Sequence, residues 1–413
     1  MQGNKKSSGP STNDRPTRVR CGELCTVVAG LVLLCCPAPG YAAEWSFDPA
    51  ATVLLGYESN AALTTDPHKG VSEGIIVPEL GVRRLTETSA VNVGLLGRGT
   101  YYSGSEFPDT TEGQAALSSF ARLTERTRVG FDAVARWDSL FESAVLGSGT
   151  GNVQDVDIGL VTTKVRREWR EVSPSVSYAL TERGSVALSY RLTDVRFGDV
   201  GTSGLVDYQQ SYLSGTYSYS LTPTDDLNLV VVGAQFRPAS GTDSDTAELL
   251  AGFVHRFSST SSAGLRAGAG KTTETMADGS QVDTSLFVLE ATGSQRMELS
   301  QLNAVVSRDV QPSGSGQSVS TDQLRLDWTR RLSQAMASVL RATVFRNKSL
   351  QGSDPTVDRR YAEAAAGVDW MLAPDWSVGL TYQYRYQKYD VASDSAGSNG
   401  IFFSVSWAPP RPH

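Results

Sequence analysis

From Trp376 to Trp407 the chain reads WSVGLTYQYRYQKYDVASDSAGSNGIFFSVSW. Trp376, Val378, Leu380, Tyr382, Tyr384 and Tyr386 share one parity; Ser377, Gly379, Thr381, Gln383, Arg385 and Gln387 share the other. A period of two places each set on its own face of an extended strand, one apolar and one polar. After the polar run DVASDSAGSN, Ile401, Phe403, Val405 and Trp407 repeat the pattern against Ser404 and Ser406. Trp376 and Trp407 mark one end of these runs, and Tyr382, Tyr384 and Tyr386 lie toward the other. Aromatic girdles take such positions at the two borders of a membrane crossed by strands. A hairpin in a soluble sandwich would also alternate, so recurrence along the chain has to separate the two.

The pattern recurs. Val172, Pro174, Val176 and Tyr178 oppose Ser173, Ser175 and Ser177, and Val186, Leu188 and Tyr190 oppose Ala187 and Ser189. Leu213, Tyr217 and Tyr219 oppose Ser214, Thr216 and Ser218; Leu324, Leu326 and Trp328 oppose Arg325 and Asp327. Stretches 246–257 and 297–306 fit either parity. Short polar turns (86–89, 124–127, 181–184, 222–226, 258–262, 293–296, 332–334, 373–375) alternate with longer loops near 59–72, 103–112, 141–165, 198–206, 238–245, 273–281, 309–320, 348–358 and 391–398. Both kinds are rich in Gly, Ser, Thr, Asp and Pro, as chain reversals require. These connections predict about 18 strands, or 16 if 141–165 alters the count, at ~9–11 residues for each membrane crossing. The expected fold is therefore all-β: a single closed antiparallel transmembrane β-barrel over 44–408. Its short turns would face the periplasm and its longer loops the exterior, with closure removing unpaired edges.

Composition sharpens this. No apolar run in the body of the chain approaches the ~18 residues of a membrane helix. Near the start, Lys5, Lys6, Arg15, Arg18 and Arg20 precede LCTVVAGLVLLCC (24–36) and the small-residue exit PAPGYAA. Residues 1–43 thus read as a cleaved signal peptide, and 409–413 as a short C-terminal tail. A lipid anchor at Cys35 or Cys36 is disfavoured, because Leu34 and Cys35 precede them where a small residue is needed. All four cysteines lie in 1–43, so the remainder offers no disulfide and no sulfur-ligated metal. The first 43 residues carry +3, leaving −10 on the rest of a chain that is −7 overall, a balance that excludes nucleic acid as a partner.

On the polar parity lie Arg98, Asp132, Arg136, Arg191, Arg325, Asp327, Arg341, Glu363, Asp369 and Arg385. If that face encloses water, these ten line the pore and set its internal field; equally, they pair with one another and solvate the wall. The loop at 141–165 is the candidate constriction, against a plain surface loop. Tyr102, Tyr212, Phe345 and Phe402 are candidates for stacking on sugars, or fill the interior. A barrel hydrolase would need a positioned histidine. The chain has His68 beside Asp66, His255 and His413, and a turn at Pro67 explains the first equally well. No phosphate loop or metal-ligand spacing is present, and no cofactor is expected. The loop acids Glu106, Asp109, Asp243, Asp245, Asp354, Asp358 and Asp394 could hold cations that bridge lipopolysaccharide, or are simply solvated. NGIFFSVSW ends on the kind of aromatic that barrel assembly machinery reads, with APPRPH following.

WSFDPAATVLLGYESN (45–60), VSPSVSYALTERGSVALSYRLTDVRF (172–197), GLVDYQQSYLSGTYSYSLT (204–222) and PSGSGQSVSTDQLRLDWTRRLS (312–333) resemble a family of outer-membrane β-barrel porins. Members of that family accompany exopolysaccharide biosynthesis and export, including exosortase-type systems. The family often has an acidic pair before the asparagine that follows the first strand; Glu58-Ser59-Asn60 has one acid. The resemblance implies an outer-membrane pore that serves polysaccharide export, with periplasmic export proteins and a polysaccharide as partners, and no catalytic residue. The other expectation is a non-conducting barrel that presents loops or docks a partner.

Overall fold

The computed structural model describes residues 43–65, 68–104, 107–139, 165–198, 204–276, 278–350, 358–390 and 394–410. Eighteen strands follow one another: β1 (Glu44–Glu58), β2 (Val71–Leu85), β3 (Ser89–Tyr102), β4 (Thr110–Arg122), β5 (Thr127–Ser139) and β6 (Arg166–Ala179). Next come β7 (Gly184–Phe197), β8 (Tyr208–Ser220), β9 (Asp225–Pro238), β10 (Asp243–Ser258), β11 (Ser261–Thr275) and β12 (Gln281–Arg296). The last six are β13 (Ser300–Pro312), β14 (Ser318–Arg331), β15 (Met336–Ser349), β16 (Arg359–Ala373), β17 (Trp376–Tyr389) and β18 (Ser395–Trp407). Each pairs antiparallel with its neighbours in sequence, and β1 closes on β18. The seam holds eight rungs, from Ala51 opposite Trp407 to Glu58 opposite Gly400, whereas β1 and β2 share fifteen. The result is a closed all-β barrel. Eighteen strands stand rather than sixteen, because Ser139 at the end of β5 pairs directly with Arg166 at the start of β6. The 141–165 loop lies outside the described residues except for Val165, as do segment 1–42 and residues 411–413.

The strands are longer than a 9–11-residue crossing. They run from 13 residues in β5 to 16 in β10, because the ladder continues past the apolar band at the long-loop end. Loops expected at 238–245 and 309–320 thereby shrink to the tips 239–242 and 313–317. The turn expected at 293–296 is corrected too. That polar run is the end of β12, with Arg296 opposite Gln301, and the chain reverses at 297–299. Two ladder interruptions follow from proline, which has no N–H to give. The β6–β7 register skips from Val172 to Ser175 around Pro174, and the β2–β3 register from Ile76 to Glu79 around Pro78.

The outward face is apolar and exposed: Leu55, Leu188, Leu265, Leu380 and Phe403 among others. Trp45, Phe257, Trp370 and Trp376 border it at the short-turn end; Tyr57, Tyr101 and Tyr384 border it at the long-loop end. The ambiguous stretches resolve with Leu249, Ala251, Phe253, Leu302, Ala304 and Val306 outward, and Leu250, Gly252, Asn303 and Val305 inward. The inward face is not uniformly polar. Val230 and Val232 (β9), Leu250 (β10) and Val288 (β12) form a buried cluster against Tyr212. They meet across β11 because Gly268 stands between them, where a Cβ would lie 2.1 Å from the Leu249 carbonyl oxygen.

Candidate functional site

All ten charged residues picked out by parity occupy the face opposite the exposed apolar stripe. Cross-strand register pairs Arg98 with Glu112, Asp132 with Ser173, Arg136 with Trp169, Arg191 with Tyr212 and Glu363 with Arg385. They do not form one ring. Arg98, Arg136, Glu363 and Arg385 lie toward the long-loop end of their strands, Asp132 and Arg191 between, and Arg325, Asp327, Arg341 and Asp369 toward the short-turn end. In the last group Asp327 accepts from Arg325 Nε at 2.7 Å and has Arg341 Nε at 3.9 Å.

The long-loop end is where the geometry is most constrained. Arg385 Nη2 donates to Glu58 Oε2 at 2.7 Å and to the Ala61 carbonyl at 3.2 Å, with side-chain exposures of 2% and 3% for the ionic pair. Glu363, its rung partner, instead accepts from Gln383 Nε2 at 2.8 Å and from the Tyr361 hydroxyl at 2.7 Å. The first loop folds into the mouth over these residues. Asn60 is the hinge of that fold: its Nδ2 donates to the Thr64 carbonyl at 2.8 Å, and its Oδ1 accepts from Thr64 N at 3.1 Å. Between them Leu63 takes φ 49°, a left-handed conformation costly for a branched residue. Its side chain is buried with Phe345, Tyr361 and Ala396, and its carbonyl accepts from Gln387 Nε2 at 2.9 Å. Burial of that leucine offsets the backbone cost. Below, Gly56 lets Phe402 lie flat on β1, since a Cβ there would sit 2.6 Å from the ring.

A second ionic group stands on β3–β6. Arg167 donates Nε and Nη2 to the two oxygens of Asp138 at 2.9 and 2.7 Å, a bidentate pair with a guanidinium that solvent does not reach. Arg136 approaches Asp138 at 3.7 Å, and Arg98 approaches Glu112 at 3.6 Å. Both Arg136 and Arg167 lie over the Trp169 ring, 5.6 and 5.5 Å from its centroid. Two further loops meet each other. Val206 N donates to the Gly314 carbonyl at 2.7 Å, joining the β7–β8 and β13–β14 connections, and Leu205 is buried with Val195, Phe197, Tyr208 and Phe236. Ser318 and Ser244 share a hydroxyl bond of 3.2 Å. A cleft of about 80 Å³ remains beneath, edged by Trp169, Glu171, Arg191, Tyr212, Glu248 and Asp309.

The candidate aromatics divide. Phe345 stacks on Tyr361 at 4.9 Å and Phe402 is buried, so both fill the interior. Tyr212 carries Arg191 4.8 Å above its ring, and Tyr102 leans on Phe107 at 5.6 Å. His255 faces outward near the short-turn end, its Nδ1 2.7 Å from Asp225 Oδ1, between the Phe253 and Phe257 rings. Asp66, the neighbour expected to orient His68, lies outside the described residues, as do Glu106, Asp354 and His413. Among the described residues no group of three or more acids, histidines or cysteines could hold a metal. Glu58, Glu112, Asp138, Arg167 and Arg359 were not picked out by parity. Each sits within three residues of a strand end, where alternation gives way to loop composition.

No family model matches the sequence, and no curated protein matches it significantly. Solved structures of similar shape include Pseudomonas aeruginosa OpdQ, at 9% identity, covering 88% of this chain and 99% of that one with a TM-score of 0.42. Another is P. aeruginosa OccK9 (OpdG), at 11% identity, 89% and 99% coverage and a TM-score of 0.46. A BenF-like porin from Pseudomonas fluorescens Pf-5 has 8% identity, 89% and 99% coverage and a TM-score of 0.47.

Proposed function

We propose that the chain is an outer-membrane channel for small polar solutes, lined by arginines and carboxylates and narrowed at its outer mouth by its own first loop. The observation that carries this is the opposition of the two faces around a closed wall. Leu55 and Leu380 are 60% and 57% exposed on the outside, while Arg98, Arg136, Asp327 and Arg385 stand inside. Apolar side chains in that number would not stay in water, and a closed ladder leaves no open edge of backbone groups in hydrocarbon. Segment 1–43 would direct export and be removed. The assembly machinery would read the final strand, and lipopolysaccharide would surround the finished wall.

Export of a polysaccharide is the finer reading implied by the family resemblance. It would require the 59–65 loop and the 204–207/313–317 contact to swing aside. Secretion of polymer by a deletion strain, together with periplasmic export proteins recovered on the barrel, tests it. The same inward packing also favours a second reading, a sealed barrel that docks a partner. Planar-bilayer recording of the purified protein decides between channel and docking barrel: discrete ohmic steps support the channel, and a silent, correctly folded barrel overturns it.

A further inference from the structure

On the outward face, five consecutive strands place their residues in one register row at the long-loop end. Arg308 (β13) is opposite Asp322 (β14), Asp322 opposite Arg346 (β15), Arg346 opposite Arg360 (β16), and Arg360 opposite Lys388 (β17). Arg308 Nε and Nη2 engage both oxygens of Asp322, the Nη2 contact at 2.8 Å, which largely matches that one charge. Arg346 and Arg360 share Asp390, at 4.0 and 3.4 Å. Four cations thus face two carboxylates, on a chain whose overall charge is −7. On the outward face of β6 and β7, by contrast, the charges alternate: Arg170 with Asp194 and Glu168 with Arg196 are rung partners.

Directly below the row the wall is concave. A groove of about 650 Å³ has Val306, Leu324 and Val344 on that side of the row and Phe287 and Leu289 of β12 beside it, Leu289 being the rung partner of Arg308, with Arg308, Asp322, Arg346 and Arg360 on its rim. The next rung toward the membrane centre, Val306–Leu324–Val344–Ala362–Tyr386, has no charge. A ligand seated here meets hydrocarbon-like surface at one end and guanidinium groups at the other. Guanidinium is the group best suited to a phosphate, which it binds in paired hydrogen bonds.

We propose that this groove binds a phosphorylated, acylated glycolipid of the lipid A type, one acyl chain along the apolar floor and its phosphate on Arg346, Arg360 and Lys388. The assignment to the outer leaflet rests on the outer-membrane reading, which places the long-loop end outside the cell. The charge complementarity and the depth of the groove, within the apolar band, point to a lipid rather than a soluble anion.

The test is native mass spectrometry of the full folded barrel released from detergent. Bisphosphorylated lipid A, its monophosphorylated form and phosphatidylglycerol are offered at equal concentration. The parent protein is expected to retain the bisphosphorylated lipid about ten-fold more tightly than either of the others, the loss of one guanidinium–phosphate contact being worth roughly that factor. The combined variant R346Q/R360Q/K388Q should lose about ten-fold or more. Val344→Trp, which fills the groove and leaves the charges alone, should also lose binding, while Lys271→Gln, outward on β11 away from the row, should not. Heat-modifiable gel mobility confirms that each variant is folded. Undiminished lipid A binding by the combined variant, or equal retention of phosphatidylglycerol by the parent, overturns the proposal. A barrel that conducts but retains no lipid A refutes this site alone; a chain that leaves cells soluble without detergent refutes the membrane reading with it.

Discussion

Arginine at Leu380 separates the two faces of the wall more cleanly than any other single change. Leu380 lies on β17, 57% exposed, four residues from Trp376 at one border and four from Tyr384 at the other. At ~3.3 Å per residue it is ~13 Å along the strand from each, close to the middle of the apolar band. A charged side chain on the lipid face at that depth costs ~2–4 kcal/mol, a roughly thirty-fold to nearly thousand-fold loss in the folding equilibrium. Its neighbour Thr381 points inward, between Gly367 and Phe402 on adjacent strands. Thr381→Arg should cost less than Leu380→Arg, since the inner wall already carries Arg325, Arg341 and Arg385. Folding into phosphatidylcholine vesicles, titrated with urea and followed by the fluorescence of the chain's seven tryptophans, measures both. Equal penalties for the two variants, or a larger one for Thr381→Arg, would refute the assignment of faces.

Further outcomes follow at the mouth. Glu58→Gln or Arg385→Met alone leaves a buried charge without its partner and should cost ~3–5 kcal/mol, whereas the double substitution should cost less than the sum, a coupling that urea titration of the cycle measures. Asn60→Ala removes both bonds to Thr64 and should free the first loop, raising single-channel conductance at a stability cost of ~1–3 kcal/mol; unchanged conductance would mean that this loop does not set the bore. Arg167→Lys keeps the charge but loses the paired geometry at Asp138, and should lower stability by ~1–3 kcal/mol in the same titration. Gly56→Ala forces Phe402 off β1 and should cost ~1–3 kcal/mol, partly restored by Phe402→Leu.

Strand count and the facing of β17 and β18 were legible because serine, glutamine and threonine alternate there with aromatics and aliphatics. The same logic left 246–257 and 297–306 open to either parity; in the first of these Leu250 of β10 joins Val230, Val232 and Val288 in an apolar patch on the inner face. Those residues bury one another across the glycines of β11, so both parities look like core. The charged residues of the inner wall could be picked out, but not how they divide among separate ionic groups, since that depends on register. The inward fold of the first loop was not legible, because the burial of Asn60 and Leu63 depends on partners on β15, β16 and β18. The outward basic row escaped notice for a different reason. Arg308, Arg346, Arg360 and Lys388 lie on the apolar parity just short of the expected loops, and only the register brings them into one row.

Where the first and last strands meet, the wall is stitched by fewer than ten rungs between residues some 350 positions apart, with Thr52 and Ser406 hydroxyls 3.0 Å from each other. Nothing local can bring those partners together, so the cylinder stays an open sheet with two sticky borders until its final hairpin arrives. Any helper that delivers this polypeptide to a bilayer must therefore shield both borders at once, and the short junction, like the equally short ladder between β12 and β13, is a place where a finished cylinder would come unzipped.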